Sequence, residues 1–151
     1  MTDLVHPFFK ATQEVFRLML DLDIQKAAPE QVAELQNKAL YVSIGIIGDL
    51  EGKIDYCFPE SMTLEIVRIL SGMEMSELDD FVTSAISEVV NIISGNAMTG
   101  LFENQVQCDI QTPHIQIAEA NAEWGQSGNF LSLETSIGPL LVDIQLTNKA
   151  A

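Results

Sequence analysis

A carboxylate and a carboxamide lie three residues apart at Glu88 and Asn91, and this pair has the clearest capacity for chemistry in the sequence. A carboxamide accepts a hydrogen bond through its oxygen and donates through its nitrogen, so it can orient a water molecule. The carboxylate beside it is charged and accepts hydrogen bonds. Held side by side on a rigid surface, the two groups suit a site that positions water or reaches into another molecule's pocket.

The surrounding residues predict that this pair points outward from one long amphipathic helix. At about 100° per residue, one strip of the helix surface roughly 60° wide contains Ser84, Glu88, Asn91 and Gly95. The other side is apolar and is expected to face a core, through Phe81, Val82, Ala85, Ile86, Val89, Ile92 and Ile93. A glycine inside a helix costs up to about 1 kcal/mol relative to alanine. Gly95 therefore indicates the close approach of a partner or of a neighbouring helix.

This helix is predicted to span residues 77–100. Ser76 is expected to cap its N-terminus, because a serine hydroxyl can accept from an unpaired backbone N–H of the first turn. Asp79 and Asp80 then place negative charge where the helix dipole favours it. We interpret these two aspartates as part of a helix start rather than as a metal site.

The rest of the chain predicts an α+β domain. Apolar residues recur at helical spacing over 4–21, and a second helix is expected from Ser61 to Ser71, with Gly72 as its stop. Strands are predicted at 39–47, 53–58, 106–112, 114–118, 130–136 and 140–146, with turns at 48–52 and 137–139. Residues 1–151 are therefore expected to form a single domain, in which a mostly antiparallel sheet packs against two long helices.

Composition excludes several classes of function. The chain is 47% hydrophobic. Its formal net charge of −15 argues against binding to nucleic acid or to an anionic membrane. No apolar run approaches the ~20 residues that cross a bilayer, and the N-terminus lacks a signal-peptide pattern, so we expect a cytoplasmic protein. Cys57 and Cys108 are expected to be reduced and buried, without the spacing of a zinc site. No metal site is predicted.

Four residues match the motif of a known family. Its pattern is Asp or Ser, three residues, Glu, two residues, Asn, twenty-one residues, Pro, and the matching positions are Ser84, Glu88, Asn91 and Pro113. The chain resembles the CheC/CheX/FliY family of chemotaxis phosphatases over most of its length, which implies a CheC-like fold. Its length and single intact motif are similar to the CheX members rather than to the two-site CheC members.

A second, imperfect copy of the motif shows how little the spacing alone decides. Glu34 and Asn37 have the same separation, and Pro59 follows at the same distance, with Glu30 at the first position. The pair Glu-x-x-Asn is common at ordinary residue frequencies. Asn37 is followed almost at once by a predicted strand, whereas Asn91 lies in a long helix. We therefore interpret the first copy as a coincidence.

The resemblance implies an enzyme that hydrolyses the aspartyl phosphate of a phosphorylated CheY-type response regulator. Asn91 is then expected to position the attacking water, and Glu88 to dock onto the active-site lysine of the regulator. Contacts with the partner are expected from Ser84, Ser87, Gly95 and Pro113. No cofactor of the protein's own is implied, because magnesium is expected in the regulator. The resemblance also implies a homodimer through an extended sheet, although no edge strand can be identified from the sequence.

Three alternatives stay open at this point. The chain could be a non-catalytic module that binds a response regulator or a flagellar motor component. It could also be a structural homodimer domain without a regulator partner. Finally, Glu88 and Asn91 could belong to an ordinary solvent-facing helix surface. The intact Glu88–Asn91 pair favours the enzyme, because a pure adaptor would not need Asn91.

Overall fold

The computed structural model of the protein describes residues 5–26, 38–119 and 130–148. The helical segments are α1 (Val5–Val15), a π-helical turn (Phe16–Leu20), α2 (Glu60–Ser71) and α3 (Asp80–Glu103). The strands are β1 (Gln25–Lys26), β2 (Lys38–Gly48), β3 (Leu50–Pro59), β4 (Cys108–Ile110), β5 (His114–Glu119), β6 (Phe130–Thr135) and β7 (Gly138–Asn148). Glu30, Glu34 and Asn37 of the imperfect motif copy lie outside the described residues.

The strands form one sheet in the order β1-β6-β7-β3-β2-β4, and β5 also pairs with β2. Every pairing between described strands is antiparallel. The central hairpin runs from the pair Ala39–Pro59 to the pair Ile46–Gly52. β4 and β5 follow one another along the other side of β2. The predicted α+β class with a mostly antiparallel sheet is therefore confirmed.

The helices pack on one face of the sheet, because alternate strand residues form an apolar surface there. On β2 this surface consists of Leu40, Val42, Ile44 and Ile46, all of them buried. These side chains share one core cluster with buried residues of α1, α2 and α3. The opposite face of the sheet carries a smaller buried cluster of Ala39, Cys57 and Leu141.

The long helix begins later than predicted. α3 starts at Asp80, and Asp79 is its N-cap, whose carboxylate accepts a hydrogen bond from the Val82 N–H at 3.0 Å. The prediction that Ser76 caps the helix is therefore wrong, because the Asp79 carboxylate satisfies the first turn instead. The interpretation of Asp79 and Asp80 as a helix start is confirmed. The helix ends at Glu103, slightly beyond the predicted end.

The second helix also begins differently from the prediction. α2 starts at Glu60 directly after β3, with Pro59 as its N-cap and no capping hydrogen bond from a side chain. The helix therefore starts one residue before Ser61, the start predicted from the sequence. The predicted stop is confirmed, since Gly72 has a φ of 76° and its N–H donates to the Arg68 carbonyl. Glycine adopts this left-handed conformation at little cost.

The first helical segment is not uniformly α-helical. α1 ends at Val15, and the π-helical turn that follows ends at Leu20. Its C-cap, Asp21, adopts the left-handed conformation with a φ of 56°. The Asp21 and Leu22 N–H groups donate to the carbonyls of Arg17 and Phe16. Phe16 and Leu20 nevertheless stay buried, so the apolar pattern correctly predicted which face packs on the core.

Two hairpin turns are tighter than predicted. Asp49 separates β2 from β3, and Thr135 pairs with Gly138 across the turn between β6 and β7. The Asp49 carboxylate accepts from the Gln107 N–H at 2.8 Å, and the Asp49 N–H donates to the Gln107 carbonyl at 2.9 Å. The first hairpin is thereby tied to the segment that follows α3. β4 is also shorter than the strand predicted at 106–112.

Candidate functional site

α3 places Glu88 and Asn91 on its outward side. Its buried residues are Val82, Ile86, Val89, Val90, Ile93, Ser94, Ala97, Met98 and Leu101. Ser84 and Glu88 are exposed, and Asn91 and Gly95 are half-buried. The side chains of Glu88 and Asn91 thus start one helical turn apart, about 4.5 Å along the axis. The outward strip expected from the helical spacing is present in the fold.

A buried hydrogen bond anchors α3 to the sheet next to this pair. The hydroxyls of Tyr56 on β3 and Ser94 on α3 lie 3.0 Å apart, and both side chains are fully buried. Burial raises the pKa of Tyr56, so its hydroxyl is neutral at physiological pH. Ser94 follows Asn91 by one helical turn. The bond therefore restrains the helix close to the outward strip.

The two ends of the outward strip carry exposed phenylalanines. Phe81 is 48% exposed and Phe102 is 63% exposed. The expectation that Phe81 faces the core is wrong, because this residue lies in the first helical turn, only about 20° from Glu88 around the helix. Phe102 was not predicted as part of the strip. Its spacing from Ser84, a whole number of turns, was the signal that could have found it.

The three predicted partner contacts on α3, Ser84, Ser87 and Gly95, lie in different surroundings. Ser84 is exposed, whereas the Ser87 hydroxyl is half-buried and donates to the Thr83 carbonyl at 2.9 Å within the same helix. A Cβ added to Gly95 would have no described atom within 4 Å, apart from its own stretch of helix. No helix in the described part of the chain therefore requires a glycine there.

Pro113 lies outside α3, in the segment that joins two strands of the sheet. It falls between β4 and β5, which both pair with β2. Proline lacks an N–H and cannot donate to a strand ladder, which explains the interruption at this point. Just before it, the Gln111 N–H donates to the Gly45 carbonyl at 2.8 Å. The Gln111 side chain fills the space above Gly45, where a Cβ would meet its Oε1 atom.

The remaining candidate groups give no metal centre within the described ranges. No group of three or more His, Cys, Asp or Glu side chains there could hold a metal ion. Cys57 is buried and Cys108 half-buried, and neither forms a disulfide. Burial raises the pKa of Cys57 to about 12, which keeps this thiol protonated. None of the described helices is both long and apolar enough to cross a membrane.

Comparison with known proteins identifies the family of this chain. The model of the family described as chemotaxis phosphatase CheX matches residues 40–133, a range that includes most of β2, the whole of β3, α2 and α3, and Pro113. The CheY-P phosphatase CheX of Thermotoga maritima is 28% identical over 114 residues, which cover 74% of this chain and 74% of that protein.

Solved structures agree with this match in their fold. The chemotaxis protein CheX from Vibrio vulnificus superposes with a TM-score of 0.83 at 21% identity, covering 97% of each chain. CheX in the CheX–CheY–BeF3–Mg²⁺ complex from Borrelia burgdorferi gives a TM-score of 0.73 at 22% identity, covering 98% of this chain and 100% of that one. The expected CheC-like fold is thereby confirmed. The family model matches more than half of the chain, and the protein therefore belongs to the CheX family of chemotaxis phosphatases.

Proposed function

We propose that this protein hydrolyses the aspartyl phosphate of a phosphorylated CheY-type response regulator. The observation that carries the proposal is the outward Glu88–Asn91 pair on α3, in a chain of the CheX family. Two relatives support the choice of substrate. One is named a CheY-P phosphatase, and the other forms a complex with CheY, BeF3 and Mg²⁺.

The hydrolysis requires few catalytic groups from the phosphatase itself. An aspartyl phosphate is a mixed anhydride, and the regulator supplies the magnesium ion and the lysine around its phosphoryl group. A water oxygen forms a new bond to phosphorus while the bond from phosphorus to the aspartate oxygen breaks. The products are inorganic phosphate and the regulator's carboxylate. The phosphatase contributes by placing the water in line with the leaving oxygen.

Asn91 is the group proposed to place this water. Its carboxamide oxygen can accept a hydrogen bond from the water while its nitrogen donates to a nearby acceptor. It needs no proton transfer of its own, as with the water-orienting glutamine of GTPases. A well-oriented water contributes roughly 2.7 kcal/mol, about a hundredfold in rate.

Glu88 is the group proposed to dock the helix onto the regulator's active-site lysine. An ion pair at this point fixes the distance between α3 and the phosphoryl group, because Glu88 and Asn91 project from the same rigid side of one helix. Further partner contacts are proposed for Ser84, Ser87, Gly95 and Pro113. The reaction is proposed to occur in the cytoplasm.

A homodimer is proposed for the whole chain. Among the described strands, β5 pairs with β2 alone and so lies at an edge of the sheet. Its Ile115 and Ile117 are 39% and 38% exposed. An apolar edge strand of this kind is a ready template for pairing with a second copy, which would extend the sheet across two protomers.

The deciding experiment measures phosphate release from a phosphorylated CheY-type regulator with the wild-type protein and with Asn91→Ala. Acceleration by the wild type and a loss of about a hundredfold in the variant are expected. The matched control is Asn96→Ala. Asn96 is an exposed asparagine of the same helix that lines the groove between α1 and α3, about 140° around the helix from Asn91.

Two results would contradict the proposal. Wild-type turnover by Asn91→Ala would remove the water-positioning role. Tight binding of the phosphorylated regulator by the wild-type protein, without any acceleration of phosphate release, would favour the non-catalytic module that binds a regulator or a motor component.

A further inference from the structure

Phe81 and Phe102 are unusual among the aromatic side chains that the structure describes. Phe8, Phe16, Tyr56 and Phe58 are fully buried, whereas these two are 48% and 63% exposed. Both belong to α3, which buries its other large apolar residues wholly or in part. Exposed aromatic rings contribute little to the core, and at interfaces such rings are the most frequent sources of binding energy.

The two rings flank the proposed reactive pair along one side of the helix. Phe81 precedes Glu88 by seven residues, about 10 Å along the axis, and Phe102 follows Asn91 by eleven residues, about 16 Å. Each lies about 20° around the helix from the nearer member of the pair. The face defined by Phe81, Glu88, Asn91, Gly95 and Phe102, here called the α3 face, is therefore continuous and about 31 Å long.

Gly95 gives independent support for a partner on this face. It lies between Asn91 and Phe102, and a Cβ at this position would meet no described atom within 4 Å. Glycine inside a helix costs about 1 kcal/mol relative to alanine. Since packing within the described chain does not require it, the glycine is explained by close approach of a partner's atoms to the helix backbone.

The negative charge of α3 indicates which kind of partner fits the α3 face. α3 contains Asp80, Glu88 and Glu103 and has no lysine or arginine. Two copies of this face pressed together would bring acidic residues against acidic residues, which is unfavourable. A different partner, with a lysine opposite Glu88 and apolar surface on either side of it, complements the face in both charge and hydrophobicity.

We infer that Phe81 and Phe102 are apolar anchors that bind the regulator's receiver domain at the two ends of the α3 face, in addition to the proposed contact of Glu88. This inference rests on the proposed function. A single domain of about 120 residues spans about 35 Å, slightly more than the about 31 Å between the two rings along the helix. One such domain can contact both rings when the lysine that meets Glu88 lies nearer to the Phe81 end. The rings then hold the partner, and Glu88 and Asn91 act between them.

The test measures binding of the purified CheY-type regulator, held in its active form with beryllofluoride and Mg²⁺, by isothermal titration calorimetry. Phe81→Ser and Phe102→Ser are each expected to weaken binding about tenfold. Phosphate release should show the loss mainly in KM. Ile47→Ser is the matched control, because Ile47 is 45% exposed on β2 and follows the inward-facing Ile46. It should bind like the wild type.

A third variant separates docking from folding by the direction of its effects. Gly95→Ala is expected to raise the melting temperature, because alanine favours the helix. It should nevertheless weaken regulator binding severalfold, because the new methyl group occupies space that the partner needs. A purely structural role for Gly95 would not move these two quantities in opposite directions.

The inference is overturned if wild-type protein binds the regulator and both phenylalanine variants bind it equally well. It is also overturned if sedimentation shows that either variant turns a dimer into a monomer, since the face would then be a contact between two copies. Failure of the proposed function looks different, because the wild-type protein itself would then neither bind the active regulator nor accelerate phosphate release.

Discussion

At the scale of single residues, the reactive groups are distinguished by position rather than by unusual chemistry. Glu88 is an exposed glutamate and Asn91 a half-buried asparagine, and among the described residues neither lies in a cluster of titratable groups that could bind a metal. Their proposed roles depend on projecting together from a helix whose other side is held by the core. In the proposed mechanism the partner brings the phosphoryl group and its metal, and Asn91 orients the water.

One prediction belongs to this scale. Glu88→Lys should weaken regulator binding about tenfold or more and lower turnover as well, because a lysine there would repel the lysine of the partner. Binding by calorimetry and phosphate release measure the two effects. The control is Glu14→Lys, an equal charge reversal at an exposed glutamate of α1. Unchanged affinity in the Glu88 variant would remove its docking role.

At the scale of elements, α3 is a rigidly held helix that carries Glu88 and Asn91 on its outward side. Its N-terminus is closed by the Asp79 carboxylate, and its apolar side is embedded in the core. The hydrogen bond between Tyr56 and Ser94 links it to β3 close to Asn91. A helix fixed at these points can insert two side chains into a partner's pocket without first becoming ordered, which lowers the entropic cost of docking.

The prediction at this scale concerns Tyr56→Phe. Loss of the buried hydroxyl should lower the free energy of unfolding by about 1 kcal/mol, and the melting temperature by about 2–4 °C. Because α3 then has more freedom near Asn91, turnover should fall severalfold, less than in Asn91→Ala. Thr83→Ala serves as a stability control, since that hydroxyl donates within its own helix, to the Asp80 carbonyl. A stability loss with unchanged turnover would show that the bond supports folding alone.

At the scale of the whole molecule, the net charge and the edge strand of the sheet have opposite effects on the association of two copies. A net charge of −15 opposes association of two copies, whereas the apolar edge strand β5 favours it. The helices and the proposed docking surface lie on one face of the sheet. A dimer joined at the β5 edge would therefore leave both copies of the α3 face accessible to regulators.

The corresponding prediction is tested by sedimentation equilibrium. The wild-type protein should form a dimer at micromolar concentration, and added salt should strengthen it by screening the repulsion between like charges. Ile115→Lys should give monomers, because it places a charge in the apolar edge. Ile47→Lys, on an exposed residue of β2, is the control. A wild-type protein that stays monomeric at these concentrations would contradict the homodimer.

Much of this protein could be predicted from the sequence, because periodicity reports which residues share a face. The alternation along β2 and the helical spacing around Glu88 correctly indicated the antiparallel α+β class and the outward strip. The motif of Ser84, Glu88, Asn91 and Pro113 correctly indicated the family. These features depend on local geometry, which every strand or helix with the same pattern shares.

The tertiary structure decided how much of each face other elements cover. Phe81 was expected in the core as one of the apolar residues of the helix, although its helical spacing places it about 20° from Glu88, and the fold leaves its ring exposed. The cap at Asp79 rather than Ser76 depends on a contact between one carboxylate and one N–H. The open space beside Gly95 excludes a neighbouring helix in the described chain as the reason for this glycine. Each of these depends on residues distant in sequence or on atomic contacts, which a pattern along the chain does not contain.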